Sequence, residues 1–313
     1  MGTRRRAGNP SPMSRLPVES QCGGGEGGRG PSRTLRIGAL NVRGCNDPRK
    51  CEEIGRLFER RELDVLAMSE TKLRGRGEVM FGSVTGRMSG VKVGETAKEG
   101  VALVVRKELS DCVREWKELS SRLMWVKMRF GVEKWVFVSV YGPGKDREEE
   151  EMQEFWTDVG ECIQGFDRNE NVVVLGDMNA RVGGVAIPGI VGEFGVDGVN
   201  ESGERMLEMC DECGMSVGNT YFKKRRVHKY TWHRRTRGEV VCEALMDYVV
   251  VRKSMRHRLL DVNVLRGAAG GMTDHYLVEG RMKVVPAWIR KKNEGSGRES
   301  REIMKISEFE KEE

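Results

Sequence analysis

The chain has 313 residues, with 54 Lys and Arg against 48 Asp and Glu and a formal net charge of +6. This length is enough for a substantial hydrophobic core in one large domain or two small ones. Glycine and the apolar residues together make up roughly half of the chain, an ordinary globular value that excludes disorder throughout. Its apolar runs are far shorter than the ~20 residues of a membrane span, and no signal-peptide core follows Met1. These features predict an intracellular protein without a membrane partner.

The net charge is unevenly distributed along the chain. Residues 1–34 hold six Arg and two Glu among Gly, Pro and Ser, which predicts a disordered basic arm. Residues 221–237 hold eight Lys and Arg and no acid, whereas residues 286–313 form a charged but balanced tail or linker. A basic segment interleaved with aromatic rings suits a nucleic acid, although a run of charge is also typical of a solvated loop. The candidate nucleic-acid contacts are Lys223, Lys224, Arg225, Arg226, Trp232, Arg234 and Arg235.

Residues 35–285 have the sequence pattern of a folded domain built from short strands and a few helices. Alternating or short apolar runs predict strands at 35–41, 64–70, 101–107, 122–130, 135–141, 172–177, 217–222, 248–251, 262–266 and 276–284. The run 172–175 is apolar on both faces, as expected where helices cover a sheet. Helices are predicted from Asp47–Pro48 onward, from Asp146 to about Ile163, and from about Ser202 to Cys213.

Polar residues recur where these predicted strands end or begin. Those that end or directly follow strands are Asn41, Glu70, Tyr141, Asp177 and Asn179. Those that directly precede strands are Asp247, Asp274 and His275. Because antiparallel pairing places the start of one strand beside the end of its neighbour, these residues can meet at one edge of the fold. Asp and Asn at strand ends are individually typical turn formers, so the hypothesis depends on their coincidence.

The predicted cluster is rich in hard oxygen donors and contains no thiolate. Four carboxylates, two amides and a single His suit Mg²⁺, or Mn²⁺ in its place, rather than Zn²⁺. Beside a basic aromatic segment, this combination indicates phosphodiester hydrolysis. A metal ion and the His would stabilise charge on the phosphoryl oxygens, and a carboxylate would activate water for in-line attack.

Seven short motifs in the chain follow one order: 40–44, 69–72, 141–143, 176–181, 230–232, 246–248 and 273–275. In this order they resemble the endonuclease/exonuclease/phosphatase superfamily over about residues 35–285. More narrowly, they resemble the endonuclease domains of non-LTR retrotransposons and the craniofacial development protein 2-like proteins. The resemblance implies an α+β fold, a four-layer α/β sandwich in which two mostly antiparallel sheets are flanked by helices.

The resemblance also implies a set of metal ligands. Glu70 would be the main ligand of a Mg²⁺ ion, helped by Asn41, and Asp274 would lie near the metal. The residue before Asp274 is Thr273, where Ser is commoner in the family, and this change keeps the hydroxyl group.

The implied catalytic residues are five. Asp177 would orient or deprotonate the attacking water, and Asn179 would hold the scissile phosphate. His275 would contact a phosphate oxygen, with Asp247 fixing and charging its imidazole. Tyr141 would donate to the phosphate or to the leaving group.

The function predicted in this way is a Mg²⁺-dependent endonuclease of retrotransposon origin that nicks DNA and leaves a 3′-hydroxyl. DNA as substrate and the Arg-rich arm favour nuclear residence. A catalytically silent DNA-binding or interaction protein remains open, and a phosphatase of the same superfamily is less favoured. No reverse-transcriptase region follows within the 313 residues, so a stand-alone endonuclease and a fragment of a longer element both remain open.

Overall fold

A computed structural model describes residues 33–284 of the chain. The predicted charged tail lies outside the described residues, and so does the predicted basic arm except for Arg33 and Thr34, which open the first strand. Within residues 33–284, no helix combines the length and the apolar character that crossing a lipid bilayer requires.

The first of two large sheets has seven strands and contains the described N-terminus. Its spatial order is β14 (Leu259–Leu265), β15 (Leu277–Val284), β1 (Arg33–Asn41), β2 (Val65–Ser69), β5 (Val101–Val105), β4 (Val84–Ser89) and β3 (Arg76–Phe81). All neighbours pair antiparallel except β1 and β2, which run parallel and end at the same edge of the sheet.

The second sheet has six strands. Its order is β10 (Met215–Val217), β13 (Asp247–Arg252), β9 (Asn171–Asp177), β8 (Glu133–Tyr141), β7 (Leu123–Phe130) and β6 (Val113–Ser120). Here too a single pair, β8 with β9, runs parallel. A separate hairpin joins β11 (Trp232–Thr236) to β12 (Glu239–Ala244) through Arg237 and Gly238, both with positive φ, as a tight two-residue turn requires.

Three α-helices cover the outer faces of the sheets within the described part of the chain: α1 (Pro48–Arg60), α2 (Glu149–Gln164) and α3 (Glu201–Glu212). Asp47 caps α1 by accepting from the Arg49 N–H at 2.9 Å, with Pro48 in the first turn, as predicted. Short 3₁₀ helices at Lys107–Cys112, Gly218–Tyr221, Arg226–His228 and Lys253–Arg258 complete the fold.

Side-chain alternation along the strands divides the apolar residues into three layers. In β9, Val173 and Leu175 pack between the two sheets, whereas Val172 and Val174 face α2 and α3. In β2, Leu66 and Met68 face α1 on the other side of the molecule. The order is therefore helix, sheet, sheet, helices, which confirms the predicted four-layer sandwich of two mostly antiparallel sheets.

The prediction of a strand at 217–222 is wrong beyond Val217. A 3₁₀ turn follows, because the Asn219 side chain donates to the Asp247 carbonyl at 3.1 Å and accepts from the Val249 N–H at 2.9 Å. The side-chain amide thus bonds the backbone of β13 where a continuing strand would have done so. The strands β3, β4, β6, β11 and β12 were not predicted, since most of their side chains are exposed or half-buried and lack a clear apolar alternation.

Candidate active site

The strand ends of both sheets converge on one edge of the sandwich. Asp177, the last residue of β9, pairs in register with Tyr141 of β8 on one side and with Asp247 of β13 on the other. In the first sheet, Asn41 pairs with Ser69, and Glu70 follows directly. We call the side chains that meet here the polar rim; its members are Asn41, Glu70, Tyr141, Asp177, Asn179, Asp247 and His275.

Ser69 joins the two sheets beneath the rim. Its hydroxyl donates to the Val140 carbonyl at 2.9 Å and accepts from the Asp177 N–H at 3.1 Å. Ser139 makes the reciprocal contact to the Met68 carbonyl at 3.3 Å. These buried hydrogen bonds fix the end of β2 against the end of β9, and therefore fix Glu70 relative to Asp177.

An amide connects two of the three carboxylates of the rim. Asn41 Nδ2 donates to Glu70 Oε2 at 3.0 Å and to Asp177 Oδ2 at 2.8 Å. Its Oδ1 accepts from the Arg43 N–H at 2.9 Å, so the amide has one orientation. Asn41 and Asp177 are each 1% exposed, whereas the carboxylate of Glu70 is partly open to solvent and contacts Lys72 Nζ at 3.0 Å.

His275 lies between two buried carboxylates. Its Nδ1 is 2.9 Å from Asp247 Oδ2, and its Nε2 is 3.8 Å from Asp177 Oδ2. Burial alone would lower the pKa of His275, but the charges of Asp247 and Asp177 outweigh it and raise that pKa to about 9. The imidazole is therefore protonated at neutral pH, and its Nε2 is a charged donor.

The protonation states of Asp177 and Tyr141 also depend on their surroundings. Burial, and then the charge of Asp247, raise the pKa of Asp177 above that of a solvated carboxyl group. Burial, and then the charges of Glu70 and Asp177, raise the pKa of Tyr141, whose phenol hydrogen-bonds Glu70. Tyr141 thus stays a neutral donor. Arg122 places its guanidinium 5.3 Å from the centre of the Tyr141 ring and donates to the Tyr141 carbonyl at 3.1 Å.

Several residues at this edge have a left-handed backbone. Six non-glycine residues between 33 and 284 have positive φ, and four of them, Arg43, Glu70, Lys72 and Asn179, belong to or adjoin the rim. Such conformations are unfavourable for residues with a Cβ and cluster at sites where the surroundings enforce them. Asn179 is held by its N–H bond to Asp177 Oδ1 at 3.0 Å and by its Nδ2 bond to the Gly142 carbonyl at 2.9 Å.

Asp274 lies beside the rim but is directed differently. Its Oδ2 accepts from Arg43 Nη1 at 2.7 Å and from Trp232 Nε1 at 3.0 Å. Trp232 also forms a backbone bridge with His275, so the hairpin is attached to the rim at this point. Asp274 therefore links the rim to the hairpin, whereas Glu70 and Asp177 converge on Asn41.

The donor set suits a hard divalent cation. Glu70 and Asp177 direct carboxylate oxygens at one amide, and Asp247 Oδ1 is buried without a hydrogen-bond partner among the described residues. Donor atoms of Asp177, Asp247 and His275 also lie within 4.8 Å of one another, but a protonated imidazole cannot be a ligand. Glu70 is the carboxylate that suits Mg²⁺ or Mn²⁺ best, because it is partly open to solvent and Asn41 Nδ2 fixes its Oε2.

A basic cleft of about 900 Å³ adjoins the rim at Asp274 and His275. One carboxylate, Asp274, and six cations line it: Arg43, Lys50, Lys72, Arg234, Arg235 and Arg266. Among the described residues, Lys50, Arg234 and Arg235 form no ion pair, whereas Arg266 pairs with Glu243. The charge of this cleft is complementary to a phosphate backbone.

The predicted nucleic-acid contacts occupy different surroundings. Arg234 and Arg235 lie on β11 and line the basic cleft. Lys224 pairs with Asp261 at 2.6 Å and Arg226 with Glu243 at 3.4 Å, in front of a second cavity of about 460 Å³. Lys223 and Arg225 are exposed near it. Trp232 donates to Asp274 and thereby attaches the hairpin to the rim.

Sequence reasoning did not single out four cations of the basic cleft: Arg43, Lys50, Lys72 and Arg266. One available signal was the first turn of α1, which holds Arg49 and Lys50 and no acid. Cations there oppose the helix dipole, and such a local conflict often marks a functional residue. Arg43 and Lys72 lie within two residues of Asn41 and Glu70, but their direction depends on a backbone conformation that spacing does not reveal.

Comparison with known proteins identifies the family of this chain and two of its relatives. Residues 38–275 match the model of the Endonuclease/Exonuclease/phosphatase family. Craniofacial development protein 2 of Bos taurus is 28% identical over 284 residues, which cover 88% of this chain and 47% of that protein. The same protein of Tragulus javanicus is 27% identical over 258 residues, covering 81% and 44%. The chain spans slightly less than half the length of these relatives.

Solved structures with the same fold include nucleases. The endonuclease domain of TRAS1, a telomere-specific non-LTR retrotransposon, has a TM-score of 0.55 at 14% identity, with 80% of this chain and 99% of that chain covered. The AP endonuclease LMAP from Leishmania major has a TM-score of 0.58 at 15% identity, with 81% and 89% covered. An AP endonuclease from Archaeoglobus fulgidus has a TM-score of 0.58 at 16% identity, with 80% and 100% covered.

Members of this family are hydrolases of phosphodiesters or phosphate esters and typically require a divalent metal ion. The family match includes every residue of the polar rim and all strands of the two large sheets except β15 and the start of β1. This chain therefore belongs to the endonuclease/exonuclease/phosphatase family.

Proposed function

We propose that the protein is a Mg²⁺-dependent endonuclease that nicks double-stranded DNA. The observation that carries the proposal is the continuity between the polar rim and the basic cleft. His275, which contacts Asp247 and lies 3.8 Å from Asp177, lines a groove with six Lys and Arg side chains. Lys72 of the same groove contacts Glu70 at 3.0 Å. A polyanionic substrate held in the groove would thus present a phosphate to the rim.

The residues of the rim divide the chemistry among them. Asp177, with its raised pKa, accepts a proton from the attacking water. His275, charged by Asp247, donates from Nε2 to a phosphoryl oxygen as negative charge develops there. Asn179, fixed by Asp177 and Gly142, holds the scissile phosphate, and the neutral phenol of Tyr141 donates to the phosphate or the leaving oxygen.

Glu70 would be the main ligand of the metal ion, and Asn41 would help by holding the Glu70 carboxylate through Nδ2. A bound Mg²⁺ supplies Lewis-acid stabilisation of the phosphoryl oxygens and of the leaving oxygen. Lys72 Nζ, 3.0 Å from Glu70 Oε1, balances part of the charge of that carboxylate.

Supercoiled plasmid DNA provides the direct test. The wild-type protein is incubated with plasmid and Mg²⁺, with and without EDTA, beside Asp177→Ala and His275→Ala. We expect relaxed circles that depend on both Mg²⁺ and the two side chains. If the wild type nicks no better than either variant, or nicks equally in EDTA, the endonuclease proposal fails.

Two further substrates separate the alternatives. An oligonucleotide with a 3′-phosphate reports a phosphatase, and a duplex with one abasic site reports an abasic endonuclease. Gel-shift titration of the same duplex reports binding without cleavage. Binding in the absence of any hydrolysis would support the silent DNA-binding alternative instead of the proposed enzyme.

A further inference from the structure

Two cysteines face each other beside the basic cleft, in a part of the molecule that the proposed chemistry does not use. Cys45 lies in the loop after β1 and is 3% exposed, and Cys51 is half-buried in the first turn of α1. Cys51 Sγ donates to the Cys45 carbonyl at 3.1 Å, and the two thiols are hydrogen-bonded to each other. Six positions apart, they approach through the turn that Asp47 and Pro48 form.

The surroundings make the two thiols unequal. The hydrogen bond from Cys45 lowers the pKa of Cys51 to about 7, against an opposing effect of burial and with a smaller contribution from Lys50. The same hydrogen bond, and then burial, raise the pKa of Cys45. A half-buried thiol with a lowered pKa in the first turn of a helix, in contact with a buried cysteine, is the usual arrangement of an attacking and a resolving cysteine.

The other close pair in the described chain lacks this asymmetry. Cys210 is fully buried in α3, and Cys213 ends that helix. Burial raises the pKa of both thiols, so neither is a ready nucleophile. The contrast singles out Cys45 and Cys51.

We propose that Cys45 and Cys51 form a peroxide-sensitive dithiol that closes to a disulfide and thereby lowers the activity of the adjoining site. The Cys51 thiolate attacks one oxygen of hydrogen peroxide and the O–O bond breaks. The other oxygen leaves as hydroxide and is protonated to water, so that Cys51 becomes a sulfenic acid. The Cys45 sulfur then attacks Cys51 Sγ, the S–O bond breaks, and the thiol proton leaves with the hydroxide as a second water. Two thiols and one peroxide thus give one disulfide and two waters.

The link to the active site is the backbone beside Cys45. The Cys45 N–H donates to the Thr71 carbonyl at 2.7 Å, and the Gly44 N–H donates to the Glu70 carbonyl at 2.7 Å. Lys50, next to Cys51, lines the basic cleft. Closing the disulfide requires Cys51 Sγ to leave the Cys45 carbonyl, and the proposed effect is a shift of the loop whose backbone donates to the Glu70 carbonyl. The effect on activity rests on the proposed function, whereas disulfide formation does not.

Peptide mapping tests the disulfide directly. The full chain is treated with hydrogen peroxide, free thiols are alkylated, and the protein is digested with trypsin without reduction. Cleavage after Arg43, Arg49, Lys50 and Arg56 places the two cysteines in separate peptides, 44–49 and 51–56. We expect these peptides to be joined in the wild type, released by dithiothreitol, and never joined in Cys51→Ser. Cys242→Ser, which removes an exposed thiol on β12, serves as the matched control and should link like the wild type.

The activity readout uses the same samples. We expect the oxidised wild type and the oxidised Cys242→Ser to nick plasmid about tenfold more slowly than when reduced, with recovery after dithiothreitol. Oxidised Cys51→Ser should keep its reduced rate. Free or over-oxidised Cys51 without the joined peptides, or full linkage with an unchanged rate, would overturn the proposal. Absence of nicking in the reduced protein would instead count against the proposed function, and the peptide map would then decide the disulfide alone.

Discussion

The polar rim and the basic cleft adjoin each other but are built in different ways. Rim side chains such as Asn41, Asp177 and Asp247 are almost fully buried and are held in place by hydrogen bonds from two sheets. Cleft side chains such as Lys50 and Arg234 come from the first turn of α1 and from the hairpin, and they form no ion pair within the described residues. The rim is organised before substrate arrives, as transition-state stabilisation requires. The cleft supplies charge without a fixed geometry, which suits binding to a phosphate backbone.

The largest expected effect belongs to the rim. Asp177→Asn should lower the single-turnover nicking rate by about 10²- to 10⁴-fold, because the proton acceptor is lost. The free energy of unfolding should fall by no more than about 2 kcal/mol. The substitution removes a buried charge that faces Asp247, but it also replaces one oxygen that accepts from Asn41 or Asn179 by an NH2 group. Nicking assays and urea denaturation of the same preparation measure both quantities. A large loss of stability would show that Asp177 serves the fold rather than the reaction.

A substitution in the packed layer beneath the rim should have the next largest effect, on the stability of the fold. Gly176 has φ +146°, and a Cβ at this position would lie 2.0 Å from the Val140 carbonyl oxygen. Gly176→Ala should therefore destabilise the fold by about 3 kcal/mol and lower its melting temperature. The matched control is Gly144→Ala, where no atom lies within 4 Å of a Cβ and the expected change is within about 0.5 kcal/mol. Equal stabilities of the two variants would contradict the close approach of β8 and β9.

The cleft should respond in affinity rather than in rate. Replacing Lys50, Arg234 and Arg235 by Ala should weaken DNA binding about tenfold to a hundredfold at low salt. The substitutions should also reduce the steepness of the plot of the logarithm of the binding constant against the logarithm of the salt concentration, by about 0.9 for each lost phosphate contact. Fluorescence anisotropy at several salt concentrations measures both. The control variant replaces Lys107, Arg129 and Lys134, three exposed cations on the side of the molecule away from the rim, and should bind as the wild type does. An unchanged slope would remove the cleft from the binding surface.

Fluorescence anisotropy also compares the binding contribution of residues 223–226 with that of the cleft cations. Lys224 and Arg226 already pair with Asp261 and Glu243, so neutralising Lys223, Lys224, Arg225 and Arg226 should weaken binding less than the cleft substitutions do. A larger effect from this group would shift the binding surface toward the second cavity.

The pH profile should show the smallest but most specific effect. His275 must be protonated to donate, so the nicking rate should fall as pH rises through about 9, the pKa to which Asp247 and Asp177 raise it. Asp247→Asn removes one of these charges, so the alkaline limb should move down toward the ordinary His value of 6.5. Rates across the pH range in both proteins test this. An alkaline limb at the same pH in Asp247→Asn would exclude His275 as the titrating group.

The difference between rim and cleft also explains what could be predicted from the sequence. The rim residues stand at the ends of strands whose apolar runs are clear in the sequence, and the registers of β8, β9 and β13 place them together as strand pairing requires. Asp274 also stands beside a strand, but its partners Arg43 and Trp232 are brought to it by a left-handed backbone and a hairpin that no apolar pattern marks.

Most cations of the basic cleft could not be predicted from the sequence. Its cations lie on a loop, a helix terminus, a hairpin and a segment before β15, and only the tertiary fold makes them neighbours. The exposed strands β3 and β4 were missed for a related reason, since side chains such as Arg76 and Glu78 lie at the edge of the sheet, where burial imposes no alternation. Periodicity reports burial, and the cleft and the sheet edges are not buried.

Single-turnover nicking of plasmid DNA at increasing protein concentrations tests the division of labour between the two regions most directly. Three proteins are compared: the wild type, Asp177→Asn, and the variant without Lys50, Arg234 and Arg235. Asp177→Asn should lower the maximal rate constant and leave the half-saturating concentration unchanged. The cleft variant should raise the half-saturating concentration and leave the maximal rate constant unchanged. If both variants change the same parameter, or if Asp177→Asn nicks like the wild type, the assignment of chemistry to the polar rim and binding to the basic cleft is contradicted.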